Sequence, residues 1–286
     1  MDRARGIDLR ILTWNLFHGR DFPPEPAPIT WRSRLLRLSE RGETHVQVNR
    51  DLLPEFSAVL AAAEWDVALL QEAPPRWTDA LADACDASSH RVLTSRNLLA
   101  PLRAFAARLN PDLIGSNEGG SNLTLVRRSA GEIVERRELE LRPAGRPERR
   151  ALGFVRLRPA AAPAAAVCVG NLHASAGRAN RALAEGEATL AAERCLGWAA
   201  GAPLILGGDF NLRPAESELF DLLARSAGLG GVTAPDSIDH LLACGVETVD
   251  GPRPWPAERR EVDEDGLAIR LSDHAPVEAT FRVQAV

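Results

Sequence analysis

Gly207-Gly208-Asp209-Phe210-Asn211 follows the apolar run of residues 203–206. The two glycines let the backbone turn closely, and in extended geometry Asp209 and Asn211 project to one side while Phe210 faces the other. A carboxylate and an amide are thereby presented together. A lone Gly-Asp reads as an ordinary turn with a capping Asp, so the weight of this stretch depends on whether other strands end in the same way.

Several do. In Asn171-Leu172-His173 two polar residues again lie two apart at a strand end, with Leu172 directed inward. Ile11-Leu12-Thr13-Trp14-Asn15 delivers an amide and Ala68-Leu69-Leu70-Gln71-Glu72 a carboxylate. Near the C-terminus, Ser237-Ile238-Asp239-His240 sets an acid at the start of an apolar strand, and Ser272-Asp273-His274-Ala275-Pro276-Val277 sets an Asp-His pair before the last one. An adjacent Asp and His can divide two tasks, one ligating or orienting while the other meets a substrate. His240, next to Asp239 in a strand, is expected on the opposite side as a core residue.

Short β-branched or leucine-rich runs predict strands at residues 9–13, 67–70, 123–126, 167–172, 204–206, 238–242 and 277–283. Apolar residues three or four apart predict helices at 45–63 and 179–200. Residues 133–169 resemble consecutive antiparallel strands broken by Pro143, Pro147 and an alanine-proline stretch at 160–166. Surface loops are expected at 21–28, 115–120 and 251–266. The order is neither regular βαβ nor all-β, which suggests two packed sheets with helices outside. No linker or repeat divides the 286 residues, so one domain, 1–286, is expected.

Composition bounds the chemistry. Apolar residues make up 45% and charged residues 26%, enough for a sizeable core. The net charge of -5 gives no overall attraction to phosphate backbones. There is no lysine or tyrosine, so all 34 basic residues are arginine, and lysine Schiff-base or covalent tyrosine catalysis is excluded. Cys85, Cys168, Cys195 and Cys244 are scattered, which argues against zinc ligation and a disulfide framework. No secretory signal or membrane-spanning run is read, and a cytoplasmic protein without stable membrane association is expected. The arginine-rich residues 136–158 are a candidate phosphate-binding face, though alternating charge more often marks a solvated surface. Trp31, Trp77 and Trp255 lie in or near the rim loops, to stack on bases or to pack the loops down.

Taken together and in this order, Thr-Trp-Asn, Gln-Glu, Asn-Leu-His, Gly-Asp-Phe-Asn and Ser-Asp-His resemble the endonuclease/exonuclease/phosphatase superfamily, which has the fold of DNase I. The resemblance spans residues 13–281 and implies a mixed α/β (α+β) architecture: a four-layer α/β/β/α sandwich with two central sheets. It further implies that Glu72, with Asn15 nearby and Asp273 contributing, holds Mg²⁺ or Mn²⁺, ions suited by hard oxygen ligands. Asp209 would orient or deprotonate the attacking water, Asn211 and His173 would hold phosphate oxygens, and His274 would contact the scissile phosphate, steadied by Asp239. Whether Asp209 or a histidine is the base stays open. Asn122 resembles a further family position, although Ser121-Asn122-Leu123-Thr124 departs from the usual Gly-Asn-Ala wording.

Electrostatics supports an ion independently, because converging carboxylates repel one another unless one is protonated or a cation intervenes. The expected activity is a metal-dependent phosphoester hydrolase, first a nuclease-like phosphodiesterase with nucleic acid as a candidate substrate. Hydrolysis of a phospholipid, inositol phosphate or other small phosphoester comes second, and a catalytically dead binding module third. With no tyrosine in the chain, the site tyrosine of abasic-site endonucleases is lacking, which disfavours damage-specific repair. His173 stands where DNase-like and sphingomyelinase-like members also use histidine.

Overall fold

In the computed structural model, which describes residues 6–25, 30–94, 99–141 and 149–284, strand periodicity sorts the apolar side chains into three layers. The strands are β1 (Ile7–Asn15), β2 (Glu40–Arg41), β3 (Val46–Gln47), β4 (Val67–Ala73), β5 (Ala87–Leu93), β6 (Ser121–Arg127), β7 (Gly131–Glu140) and β8 (Ala151–Pro159). They continue with β9 (Val167–His173), β10 (Leu204–Asp209), β11 (Asp239–Cys244), β12 (Glu247–Pro254), β13 (Glu261–Glu264), β14 (Leu267–Arg270) and β15 (Val277–Val283). The helices are α1 (Trp31–Leu36), α2 (Leu53–Ala62), α3 (Thr78–Ala84), α4 (Ala100–Leu109), α5 (Pro111–Glu118), α6 (Arg181–Ala199) and α7 (Leu219–Ala227).

Six strands form one sheet in the order β12-β15-β1-β4-β6-β5, and five form a second in the order β11-β10-β9-β8-β7. Only β1 with β4 and β9 with β10 run parallel within these sheets. Alternate residues of each strand face opposite ways. Leu9, Ile11, Val67, Leu69, Val167, Val169, Ile205 and Leu241 meet between the sheets. Leu12, Trp14, Ala68 and Leu70 pack outward against Phe56 and Leu60 of α2 and Leu81 of α3. Cys168, Leu172, Leu204 and Leu206 pack outward against the alanine face of α6 and Phe220 of α7. The result is the expected helix, sheet, sheet, helix order.

Glycines permit the close approach of the layers. A Cβ at Gly207 would lie 2.5 Å from Leu241 Cδ2 and 2.7 Å from Leu69 Cδ1, across the inter-sheet gap. Gly208, at φ +140, would drive a Cβ onto the Leu172 carbonyl. Gly-Gly before Asp209 therefore serves sheet packing as well as the turn.

Three expectations need correction. Helix at 45–63 is found only from Leu53, with Pro54 in its first turn, where the lost N–H costs nothing. Before it, Val46 and Gln47 form β3, and buried Asn49 uses its side chain to bond Arg34 O and Asn110. The loop at 115–120 is largely α5, which runs to Glu118. The loop at 251–266 is mostly ordered as the end of β12 and the β13–β14 hairpin, whose Asp265-Gly266 turn has φ 54 and 82. Both residues at positive φ make the tight hairpin turn that Asp-Gly favours. Helix at 179–200 is found as α6, and Pro143 and Pro147 lie outside the described residues. All four cysteines are free, and no described helix is long and apolar enough to cross a membrane.

Candidate functional site

The inter-sheet faces change character toward one end. Continuing the inward row of Leu9 and Ile11 gives Thr13 and Asn15, that of Val67 and Leu69 gives Gln71, and that of Val167 and Val169 gives Asn171 and His173. Ile205 and Gly207 lead likewise to Asp209, and Leu241 is preceded in its row by Asp239. The polar residues are stitched together across the gap. Gln71 Nε2 donates to Asn171 Oδ1 at 2.8 Å and Thr13 Oγ1 at 3.1 Å, and Asn171 Nδ2 donates to Leu70 O at 3.3 Å. Asn122 Nδ2 donates to Ala151 O at 2.7 Å and Asn171 O at 3.3 Å, so this residue also ties the two sheets.

Beyond this layer, Asp209 is paired in register with His173 on one side and Asp239 on the other. The residue is 1% exposed. Asn15 Nδ2 donates to Oδ2 at 3.0 Å and the Asn211 N–H donates to Oδ1 at 3.0 Å. His173 Nε2 lies 3.6 Å and His274 Nε2 3.9 Å from Oδ2. Burial, reinforced by the charge of Asp239, pushes Asp209 up to about 7 despite these donors.

His274 is brought in from the last loop. Ser272, at φ 63, donates from Oγ to Asn15 O at 2.6 Å and accepts from the His274 N–H at 3.0 Å. Trp14 Nε1 holds His274 O at 3.0 Å. The ring then places Nδ1 2.8 Å from Asp239 Oδ2. Burial alone would lower this imidazole, but the charge and hydrogen bond of Asp239, with Asp209 and Asp273 behind them, raise it to about 10. His173 is driven the other way, by burial and then by Arg150, His274 and His18, and is neutral. Arg150 Nη1 sits 3.1 Å from His173 Nε2.

Glu72 reaches the site through a fault in its strand. The register of β4 with β6 shifts between Leu70 and Ala73, and Glu72 has φ 48. Without this bulge Glu72 would share the outward row of Ala68 and Leu70. Its Oε2 lies 3.1 Å from His18 Nε2 and its Oε1 3.7 Å from His173 Nε2. Asp273 is raised by burial, with His274 opposing and the charge of Glu72 adding to the shift. Arg20 stacks on Phe17 at 3.8 Å and feels Asp112, Glu72 and Asp273, although burial dominates and lowers it.

Of the eight residues expected at the site, Asn15, Glu72, His173, Asp209, Asp239, Asp273 and His274 converge at this end of the sandwich. Asn211 differs. Its φ of 52 ends the extended geometry, and its amide donates to Ala174 O at 3.1 Å. It therefore braces Asp209 through its backbone N–H. Asn15 presents its N–H to Asp209 while its Oδ1 accepts from the Phe17 N–H at 3.0 Å. His18, Arg20, Arg150 and Ser272 were missed as individual site residues. Phe17-His18-Gly19 gave a weak cue by following Asn15, Ser272 adjoins the Asp-His pair, and Arg150 was hidden in the arginine-rich stretch.

His240 lies in the core between Phe210 and Phe220, with Nε2 3.1 Å from Leu212 O. Trp77 and Trp255 are buried and pack the rim down, whereas Trp31 is exposed. Arg137 and Arg156 share Glu135, and Arg158 pairs with Glu132, so this part of the basic stretch is self-neutralised.

The carboxylates gathered at this end of the sandwich, Glu72 and Asp273 with Asp209 and Asp239, suit a cation. One ligand atom from each of Asp209, Asp239 and His274 lies within 4.8 Å of the others, and Asp239 Oδ1 is buried with no hydrogen-bond partner. Oxygen-rich groups of this kind fit hard divalent ions.

The sequence profile described as the Endonuclease/Exonuclease/phosphatase family matches residues 12–274. No curated protein sequence matches. Among solved structures, an endonuclease/exonuclease/phosphatase family protein from Bacteroides thetaiotaomicron is similar at TM-score 0.65 and 13% identity, covering 98% of this chain and 99% of its own. The human Nocturnin catalytic domain with bound sulfate is similar at TM-score 0.64 and 14% identity, covering 96% and 94%. The Bacteroides thetaiotaomicron mannosyl-6-phosphatase is similar at TM-score 0.61 and 14% identity, covering 96% and 99%.

Proposed function

Since the chain belongs to the endonuclease/exonuclease/phosphatase family, we propose that it is a divalent-metal-dependent phosphoester hydrolase in which Asp209 activates the attacking water. The observation that carries this reading is the environment of Asp209: a buried carboxylate fixed by Asn15 and Asn211 and flanked by two histidines and a second Asp. A base with a pKa of about 7 both exists as carboxylate near neutrality and accepts a proton readily.

When bound, Mg²⁺ or Mn²⁺ supplies Lewis-acid stabilisation of charge on the phosphoryl and leaving oxygens. Glu72, Asp273 and Asn15 are assigned to hold it. In the Asp209, Asp239 and His274 group, Asp239 already occupies Nδ1 of the ring, which leaves His274 to the substrate side of the site. The His274 cation is free to donate from Nε2 to a phosphate oxygen, with Asp239 holding ring orientation and charge. Neutral His173 is assigned, together with the Arg150 guanidinium beside it, to another phosphate oxygen.

A small-molecule or lipid phosphoester has one observation in its favour over nucleic acid. Arginines of the middle strands are matched by their own glutamates, and two of the three rim tryptophans are buried, which removes much of an extended phosphate- and base-binding face. A similar structure is that of a mannosyl-6-phosphatase.

The test is a Mg²⁺- or Mn²⁺-supplemented screen of wild type and Asp209→Ala on plasmid DNA, bis-p-nitrophenyl phosphate, p-nitrophenyl phosphate and sphingomyelin. Metal-dependent turnover lost in Asp209→Ala is expected. Full activity without metal, or unchanged turnover in the variant, overturns the assignment, and cleavage of DNA alone restores the nuclease reading.

A further inference from the structure

A second surface beside the site has no partner. Helix α4 contributes buried Ala107 to the protein but exposes Leu102 at 64% and Phe105 at 61%, with Leu109 continuing the same face one turn on. In α1, Trp31 is 75% exposed and Leu35 lies one turn away, also exposed. The two helices belong together: the Asn110 side chain, between α4 and α5, donates to Arg34 O of α1 at 2.8 Å. They also adjoin the site, since a Cβ on Gly115 of α5 would lie 3.6 Å from His18 Cβ, and His18 pairs with Glu72. Large exposed apolar side chains grouped on two helices that both pack on α5 mark an interaction surface.

Its charge selects the partner. Residues 30–41 and 99–113 carry six arginines against Glu40 and Asp112, in a chain of net charge -5. Of these, Arg41 pairs with Asp265. Exposed Arg32, Arg37 and Arg108 make no ion pair with a carboxylate among the described residues. Exposed leucine, phenylalanine and tryptophan on the helices that carry or adjoin these three arginines fit an anionic lipid surface, where the apolar side chains enter the headgroup boundary and the guanidinium groups meet phosphates. A second copy of the same face would instead oppose arginine with arginine.

We propose that the α1–α4 face docks reversibly on anionic membranes and presents the adjacent site to lipid headgroup phosphoesters. The choice of substrate rests on the hydrolase reading, whereas the docking does not.

The experiment is co-sedimentation of the full chain with phosphatidylcholine vesicles, with and without phosphatidylglycerol, for wild type, Leu102→Glu with Phe105→Glu, and Arg32→Glu with Arg37→Glu. Wild type binds the anionic vesicles, and each double variant loses about tenfold or more in affinity. Metal-supplemented turnover of soluble bis-p-nitrophenyl phosphate and the circular dichroism spectrum stay as in wild type. Absence of vesicle binding, equal binding to neutral vesicles, binding retained in the variants, or a concentration-dependent dimer lost in the Phe105 variant overturns the docking. Vesicle binding by a chain that hydrolyses no soluble ester upholds the docking and overturns the hydrolase reading instead.

Discussion

His274 Nδ1 lies 2.8 Å from Asp239 Oδ2, joining a residue of the last loop to the first residue of β11. The pair decides the charge of the site. Beside Asp239, His274 stays a cation through neutrality in spite of its burial, and among the described residues the buried Oδ1 of Asp239 has no hydrogen-bond partner.

Replacing Asp239 by Asn should therefore reduce turnover by about 100-fold, the scale of a lost acid–base partner. It should also let the His274 value fall from about 10 toward its ordinary 6.5. In wild type the raised value favours folding fully below pH 6.5, and that contribution is lost as pH rises through about 10. Proton NMR titration of the His274 ring in both proteins checks the shift, and an unchanged value contradicts the assigned partnership.

Chelation is expected to abolish phosphoester hydrolysis, with Mg²⁺ or Mn²⁺ restoring it. The ion should also raise the melting temperature, because it offsets repulsion between Glu72 and Asp273. Thermal melts with EDTA and with Mg²⁺ measure this, and Glu72→Gln should lose most of the difference. A metal-induced rise of equal size in that variant removes Glu72 from the ligand set.

Gln71→Leu tests the polar layer beneath the site. Its amide N–H groups serve Thr13, Asn171 and Leu69 O, so the change strands buried acceptors at roughly 1–3 kcal/mol. At about 2–4 °C per kcal/mol for a chain of this size, melting should fall by several degrees. Turnover should fall too, since the sheets that carry Glu72 and His173 lose a tie. A melting temperature equal to wild type would show that the bridge contributes nothing.

Asp21 should govern stability near neutrality without taking part in the chemistry. Burial raises it to about 7 against the Val48 N–H, which donates to Oδ2 at 2.8 Å, and among the described residues Oδ1 has no hydrogen-bond partner. The protonated form favours folding fully below pH 3.8, and this contribution, up to roughly 4 kcal/mol, is lost as pH rises through about 7. Asp21→Asn cannot ionise, so its stability relative to wild type should grow across that window in urea unfolding. Parallel curves for the two proteins would show that Asp21 ionises freely in the folded state.

The strand ends, the polar-apolar alternation and the mixed order of elements were legible in the sequence because each is a local property. Period-two patterning places Asp209 and Phe210 on opposite faces wherever the strand is packed, and it separates His240 from Asp239 in the same way. Local reading failed where a polar contact overrode periodicity. At residues 45–52, Gln47 and Asn49 are held by bonds to α5 and its neighbours that no nearby residue reveals. At Asn211, a left-handed backbone turned the amide toward Ala174.

The sequence alone thus determined the two sheets, their helical cover and the residues rich enough in chemistry to form a site. Only the tertiary structure decided their roles. The β-bulge at Glu72 turned an outward side chain into the site, register set His173, Asp209 and Asp239 in one row, and a loop closing on β1 through Ser272 delivered His274. The physical reason is that the balance between burial and neighbouring charge, which raises Asp209 chiefly through burial and raises His274 through Asp239 against burial, depends on distances between residues far apart in the chain.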